Sequence, residues 1–113
     1  MTQGEEIVVL ATAGSESEGV RIARGLVEAR VAACVNLVPS VRSVYRWKDA
    51  IEEDDEVLLV IKSSLPRFEE LRSAVRELHS YDTPEVVALP MAAIDEDYGA
   101  WLHASLVPDG GNT

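Results

Sequence analysis

Apolar and polar positions along the chain follow two periods, and the switches between them outline the elements. Ile7 to Ala11 is an unbroken apolar run, the pattern of a buried strand. Thr12-Ala13-Gly14-Ser15 reads as a turn, and Ser15 with Glu18 three residues later forms a capping box that starts a helix. Val20, Ala23, Val27 and Arg30 recur at helical spacing, Ile22 and Leu26 widen the stripe, and the helix should end near Arg30. From Val31 to Trp47 the pattern is that of a strand, with Tyr45 and Trp47 on one face and Arg42, Val44 and Arg46 on the other. Pro39 interrupts this strand. Because proline donates no ladder hydrogen bond, it predicts a bulge or an unpaired edge. After a turn at Lys48-Asp49-Ala50 and the acidic run Glu52 to Glu56, the segment Glu56 to Ser63 reads as the return strand.

Ser64-Leu65-Pro66 opens a second helix, in which Phe68, Leu71, Val75 and Leu78 should face the sheet. Ser80-Tyr81-Asp82-Thr83-Pro84 breaks it, and Glu85 to Pro90 is expected to be a fourth strand. Asp95 caps a last helix with Tyr98, Trp101, Leu102 and Leu106 as its apolar stripe. The order β-α-β-β-α-β-α predicts an α+β domain. Its first six elements form a ferredoxin-like βαββαβ sandwich, with two helices on one face of a four-stranded sheet. The last helix can cover only part of the other face. Residues 1–106 are expected to form one domain and residues 107–113 a flexible tail.

Length sharpens the picture of the hairpin. The seventeen residues from Val31 to Trp47 would extend ~55 Å at ~3.3 Å per residue. A compact body of this chain length is only ~35 Å across. The hairpin should therefore project, exposing Val41, Val44, Tyr45, Trp47 and Ile51 and two open edges. Surface of that kind is usually covered by a partner subunit, so a homo-oligomer is expected.

Charge narrows the partners. With 20 acidic against 10 basic side chains the formal charge is −10, which disfavours nucleic acid and anionic membrane surfaces. The single cysteine, Cys34, permits no intrachain disulfide. The first residues lack the basic segment of a secretory signal, and no apolar run reaches the ~20 residues of a membrane span. Cytosol is the expected location.

Candidate chemistry is sparse. No Ser-His-Asp order, Walker loop, dinucleotide fingerprint or Cys-x-x-Cys motif is present, and no enzymatic activity is expected. Cys34 lies in an apolar strand and reads as a small buried residue. His79, in a helix's last turn, is either favoured there by the helix dipole or a metal ligand. His103 is expected to be exposed and without a role. The acidic run reads as a solvated hairpin edge, because alternate strand residues point to opposite faces and cannot converge on a cation. Tyr45 and Trp47 read as intersubunit or core anchors, or as walls of an aromatic pocket.

Several segments in order carry a resemblance. They are Ala23-Arg24-Gly25-Leu26-Val27-Glu28, Val31-Ala32-Ala33-Cys34-Val35-Asn36-Leu37-Val38-Pro39, Ser43-Val44-Tyr45-Arg46-Trp47, Val60-Ile61-Lys62-Ser63, Tyr81-Asp82-Thr83-Pro84-Glu85-Val86 and Asp97-Tyr98-Gly99-Ala100-Trp101-Leu102. Together, over about residues 7 to 106, they resemble the CutA family of divalent-cation tolerance proteins. The resemblance implies a ferredoxin-like subunit, a cytosolic homotrimer and a role in tolerance of copper and other divalent metals. Tyr45, Trp47 and Trp101 are the residues expected at that trimer interface. Lys62, Tyr81 and Glu85, polar residues of the resembling segments, are expected to contact a ligand in a cleft where the second helix and fourth strand meet a neighbour, or Lys62 and Glu85 to form a structural ion pair. The family trimer is similar to that of PII-type signalling proteins, so the alternative function is a PII-like module binding a small anionic metabolite. Three departures are visible. Asp49 stands where the family often has glycine, Ser80 where it has proline, and Ser63 where it has threonine. Of the copper ligands proposed in some members, the first-strand thiol is Ala11 here and the first of two adjacent histidines is Leu78, which leaves His79 as the match.

Overall fold

The computed structural model describes residues 4–107. The expected tail therefore lies, beyond Val107, outside the described residues. The chain runs β1 (Glu6–Ala13), α1 (Glu16–Glu28), β2 (Cys34–Trp47), β3 (Ala50–Ser64), a single 3-10 turn (Leu65–Arg67), α2 (Phe68–Leu78), β4 (Val87–Pro90) and α3 (Glu96–Leu106). The four strands form one antiparallel sheet in the order β2-β3-β1-β4. This is the ferredoxin-like α+β arrangement expected from the element order, with the additional helix at the end.

Alternation along the strands decides which face is buried. Ile7, Val9, Ala11 and Ala13 of β1 pack with Val57, Leu59 and Ile61 of β3 against Ile22, Leu26, Leu71 and Val75 of the two helices. The buried stripe of α1 is Gly19, Ile22, Ala23 and Leu26. Val20 and Val27, expected in the stripe, are each 42% exposed. The cause is Gly19. A β-carbon there would lie 3.1 Å from Leu37 Cδ2 and 3.4 Å from Leu59 Cδ2, so the missing side chain lets this face of the helix approach the sheet. Helix α1 begins as read, with Ser15 Oγ accepting from the Glu18 N–H at 3.2 Å. It ends at Glu28 because Arg30 turns left-handed at φ 60°. The Arg30 and Val31 N–H groups then bond back to the Val27 and Leu26 carbonyls at 3.0 and 3.1 Å, closing a Schellman motif.

Two strand boundaries shift from expectation. β2 starts at Cys34, since Val31, Ala32 and Ala33 form a buried connection. β4 starts at Val87, two residues after Glu85. On the other sheet face, α3 docks at the Glu6 end, where His103 Nε2 lies 2.7 Å from Glu6 Oε2. Leu102 and Leu106 pack there with Ala33, Met91 and Ile94. Arg30 and Arg67 donate to the Ser105 and Leu106 carbonyls at 3.0 and 2.6 Å, satisfying two of the helix's terminal acceptors. His103 thus fastens a helix, contrary to expectation. Cover on this face is partial: Val38, Val87 and Leu89 are 41%, 48% and 47% exposed.

The hairpin projects as its length demanded. β1 pairs with β3 only along Val57–Ser64, so Val41–Trp47 paired with Ala50–Glu56 stands clear of the body as a two-stranded arm. At ~3.4 Å per residue the arm reaches ~24 Å, and the molecule measures 50 × 28 × 22 Å. Its tip is a two-residue turn with Lys48 and Asp49 both left-handed, at φ 50° and 66°.

Candidate functional site

A one-residue bulge sets which side chains meet at the foot of the arm. Val38 pairs with Leu58, and the next pair is Val41 with Glu56, so β2 advances three residues while β3 advances two. Ser40, just after Pro39, absorbs the difference at φ 64°. Side chains alternate with period two, so the extra residue reverses the faces of everything beyond it. Ser43, Tyr45 and Trp47 thereby share a face with Glu56 and Thr12.

The loop 79–86 supplies the opposite wall. It leaves α2 on the helix side and passes the end of β1, where Gly14 makes room. A β-carbon on Gly14 would lie 3.2 Å from the Tyr81 hydroxyl. A groove of about 520 Å³ results, lined by Thr12, Ser43, Val44, Tyr45, Trp47, Glu56, Tyr81, Asp82, Thr83 and Glu85. Tyr81 Oη donates to Glu56 Oε2 at 2.8 Å across a 25-residue separation. Burial first, and then the Glu56 carboxylate, push the Tyr81 phenol well above its ordinary value. Tyr45 donates to Asp54, and that acceptor pushes its phenol up to about 12. Both rings therefore stay protonated donors at neutral pH.

The acidic run divides by parity. Glu53 and Asp55 face away from the groove and pair with Arg42 at 3.2 and 2.9 Å in solvent. Asp54 and Glu56 hold the two tyrosines. Glu56 is only 9% exposed, so the expected solvated edge holds for part of the run and fails at its end.

His79 lies beneath the groove. Its Nδ1 accepts from the Tyr81 N–H at 3.1 Å, so Nε2 carries the proton and donates to the Thr12 carbonyl at 2.6 Å. Its side chain is fully buried, and its ring centroid lies 4.4 Å from that of Tyr81. Both nitrogens are used, so this geometry leaves no lone pair for a metal. Beside it, Glu18 accepts from the Gly14 and Ser80 N–H groups at 3.3 and 2.8 Å. Burial alone would raise the Glu18 carboxyl, but the hydrogen bonds from Ser80 and Gly14 outweigh it and hold it below the ordinary range. Among the described residues no group of three or more His, Cys, Asp or Glu is placed to hold a metal ion. The described residues of one chain therefore bring together no set of ligands for a resident metal.

The residues singled out from the sequence fall into three places. Tyr45, Trp47, Tyr81 and Glu85 meet at the groove. Lys62 does not: it is six residues from Glu56 along β3, ~20 Å away, and donates to Asn36 on the sheet face that α3 partly covers. Trp101 sits on α3, its ring centroid 5.3 Å from that of Tyr98, and is 46% exposed. Cys34 is half-buried rather than buried and donates to Asn36 Oδ1 at 3.8 Å. Sequence reasoning took Glu56 for the end of a solvated acidic edge and missed its place in the groove. One signal could have found it: it directly precedes Val57, where the buried alternation of β3 begins.

Comparison with known proteins agrees with this architecture. Residues 7–105 match the family model described as CutA1 divalent ion tolerance protein. The divalent-cation tolerance protein CutA of Thermus thermophilus is 47% identical over 86% of this chain and 94% of its own length. That of Pectobacterium atrosepticum is 41% identical over 90% of this chain and 93% of its own. The solved structure of the Thermus thermophilus protein superposes with a TM-score of 0.84, covering 86% of this chain and 94% of that one. By sequence, fold and extent of match, the chain belongs to the CutA1 family of divalent ion tolerance proteins.

Proposed function

We propose that this protein supports tolerance of divalent cations, copper among them, as a non-catalytic cytoplasmic homotrimer that binds its ligand in the groove at the foot of the arm. The observation that carries the reading is the family match over residues 7–105. The groove is the natural seat of activity because four of the residues singled out from the sequence converge there. Tyr81 and Glu85 contact the ligand, and Tyr45 and Trp47 form its aromatic mouth. His79 acts through Tyr81, whose backbone it holds. Tyr45, Trp47 and Trp101, each at least 40% exposed, serve the contacts between subunits. A divalent metal bound directly would need ligands from more than one subunit, because no described cluster within one chain suffices. An anionic metabolite finds little support, since Glu56, Asp82 and Glu85 line the groove and no lysine or arginine does.

The test is growth under copper stress. A bacterial strain lacking its own CutA protein should regain copper tolerance when it carries this chain. Equal sensitivity with and without the chain, at verified expression, contradicts the reading.

A further inference from the structure

We propose that Glu18 is the positioning residue of the loop 79–86, a clasp at the start of α1 that holds the loop against the end of β1 and so sets where Tyr81 stands. The inference rests on the reading of that loop as part of the working site and names what holds it there.

The start of the helix does not account for this glutamate. The Glu18 N–H is capped by Ser15 whatever side chain stands at 18. In a capping box the carboxylate returns to the N-cap N–H. Glu18 Oε1 accepts one residue earlier, from the Gly14 N–H at 3.3 Å. Its Oε2 leaves the helix altogether and accepts from the Ser80 N–H at 2.8 Å, 62 residues along the chain. The side chain is 12% exposed. Burial opposes its charge, and the Ser80 and Gly14 bonds outweigh burial, so it is ionised at neutral pH. Hydrogen bonds to an ionised acceptor are the stronger kind.

Three consecutive residues are held where the chain leaves α2. Arg21, one turn on from Glu18, donates to the Leu78 carbonyl at 2.9 Å and lies 3.7 Å from Glu18 Oε2. His79 Nε2 donates to the Thr12 carbonyl at 2.6 Å. Ser80 then gives its N–H to Glu18. Tyr81 follows at once, its N–H on His79 and its hydroxyl on Glu56. The Ser80 bond ties the loop's backbone to another element, which the bond from Tyr81 to His79 does not. All of these bonds lie within one chain, so a neighbouring copy seated on the arm leaves them in place.

The backbone offers a second way to fix the loop, and with it a test. His79 is extended at φ −87° and ψ 144°, the conformation that a following proline imposes, and Ser80 is not left-handed. Proline at 80 would fix the chain without a hydrogen bond. Its ring takes the place of the N–H that Glu18 accepts, so it fits where the carboxylate is gone.

Hydrogen exchange of the full chain reads the clasp. Glu18→Ala should speed exchange of the Tyr81 N–H at least about tenfold, while Val9 and Leu59 in the sheet keep their protection. Adding Ser80→Pro to Glu18→Ala should return Tyr81 to within about threefold of the parent. A Tyr81 rate unchanged in Glu18→Ala, or one that proline does not recover, overturns the proposal. If Glu18→Ala also exposes Val9 and Leu59, Glu18→Gln takes its place, since it keeps the shape and one acceptor oxygen. Exchange about threefold faster there supports the clasp, and an unchanged rate overturns it. Growth under copper separates the clasp from the functional reading. Tolerance lost in Glu18→Ala and regained with Ser80→Pro supports both. Faster exchange with full tolerance supports the clasp and sinks the reading of the loop as part of the working site. Lost tolerance without faster exchange sinks the clasp alone.

Discussion

At residue scale, the buried polar side chains each settle a local conflict. His79 joins β1 to the loop that carries Tyr81, with one nitrogen donating and the other accepting. His79→Ala leaves the Thr12 carbonyl and the Tyr81 N–H without these partners, and should cost about 2–4 kcal/mol of stability in urea unfolding. A loss below about 0.5 kcal/mol would contradict that role. Glu6 is held below its ordinary value of 4.5, first by its hydrogen bond with His103, with burial opposing. The unfolded chain therefore takes up protons at a higher pH than the folded chain does. The stabilisation is complete above the ordinary carboxylate value and is lost as pH falls through the folded value. Thermal unfolding across acid pH should fall less steeply in Glu6→Gln than in the parent, and an unchanged slope would argue against the pair. The two roles differed in legibility. A histidine in a helix's last turn is visible in the sequence. Its bond to a carbonyl 67 residues away is a product of tertiary packing.

At element scale, the long hairpin was readable because period-two patterning and chain length both pointed to it. Pro39 also marked the bulge. What could not be read was how many residues the bulge absorbs, and that number decides which face the aromatic residues take. Deleting Ser40 should restore the regular register and swing Tyr45 and Trp47 to the opposite face. The body should keep its far-ultraviolet circular dichroism while groove binding disappears. Retained binding would show that the bulge does not set the site. The tip offers a second check. Asp49 tolerates the left-handed turn, but glycine does so without the clash of a β-carbon. Asp49→Gly should stabilise the protein by up to about 1 kcal/mol, seen as a higher denaturant midpoint.

At the scale of the whole molecule, the arm and the partly covered sheet face explain each other. A two-stranded ribbon with two open edges is a poor structure in water by itself. So is a sheet face that leaves Val38, Val87 and Leu89 exposed. In the proposed homotrimer, association between copies would cover both, and light scattering should give three times the chain mass; a clean monomer would contradict the assembly. The sequence foresaw uncovered surface from the arm's length, and it placed Tyr81, Glu85, Tyr45 and Trp47 among residues of interest. Their meeting depends on a loop crossing the end of β1 past Gly14, which no periodicity encodes. Lys62, grouped with them by resemblance, proved to belong to the other end of β3.

If the groove at the foot of the arm is where the protein works, its buried carboxylate Glu56 should be needed for tolerance. Growth of a CutA-deficient strain under copper stress, carrying either the parent chain or Glu56→Gln at matched protein levels, tests it most directly. The parent should restore growth and Glu56→Gln should leave the strain sensitive. Full restoration by Glu56→Gln would place the function elsewhere on the molecule.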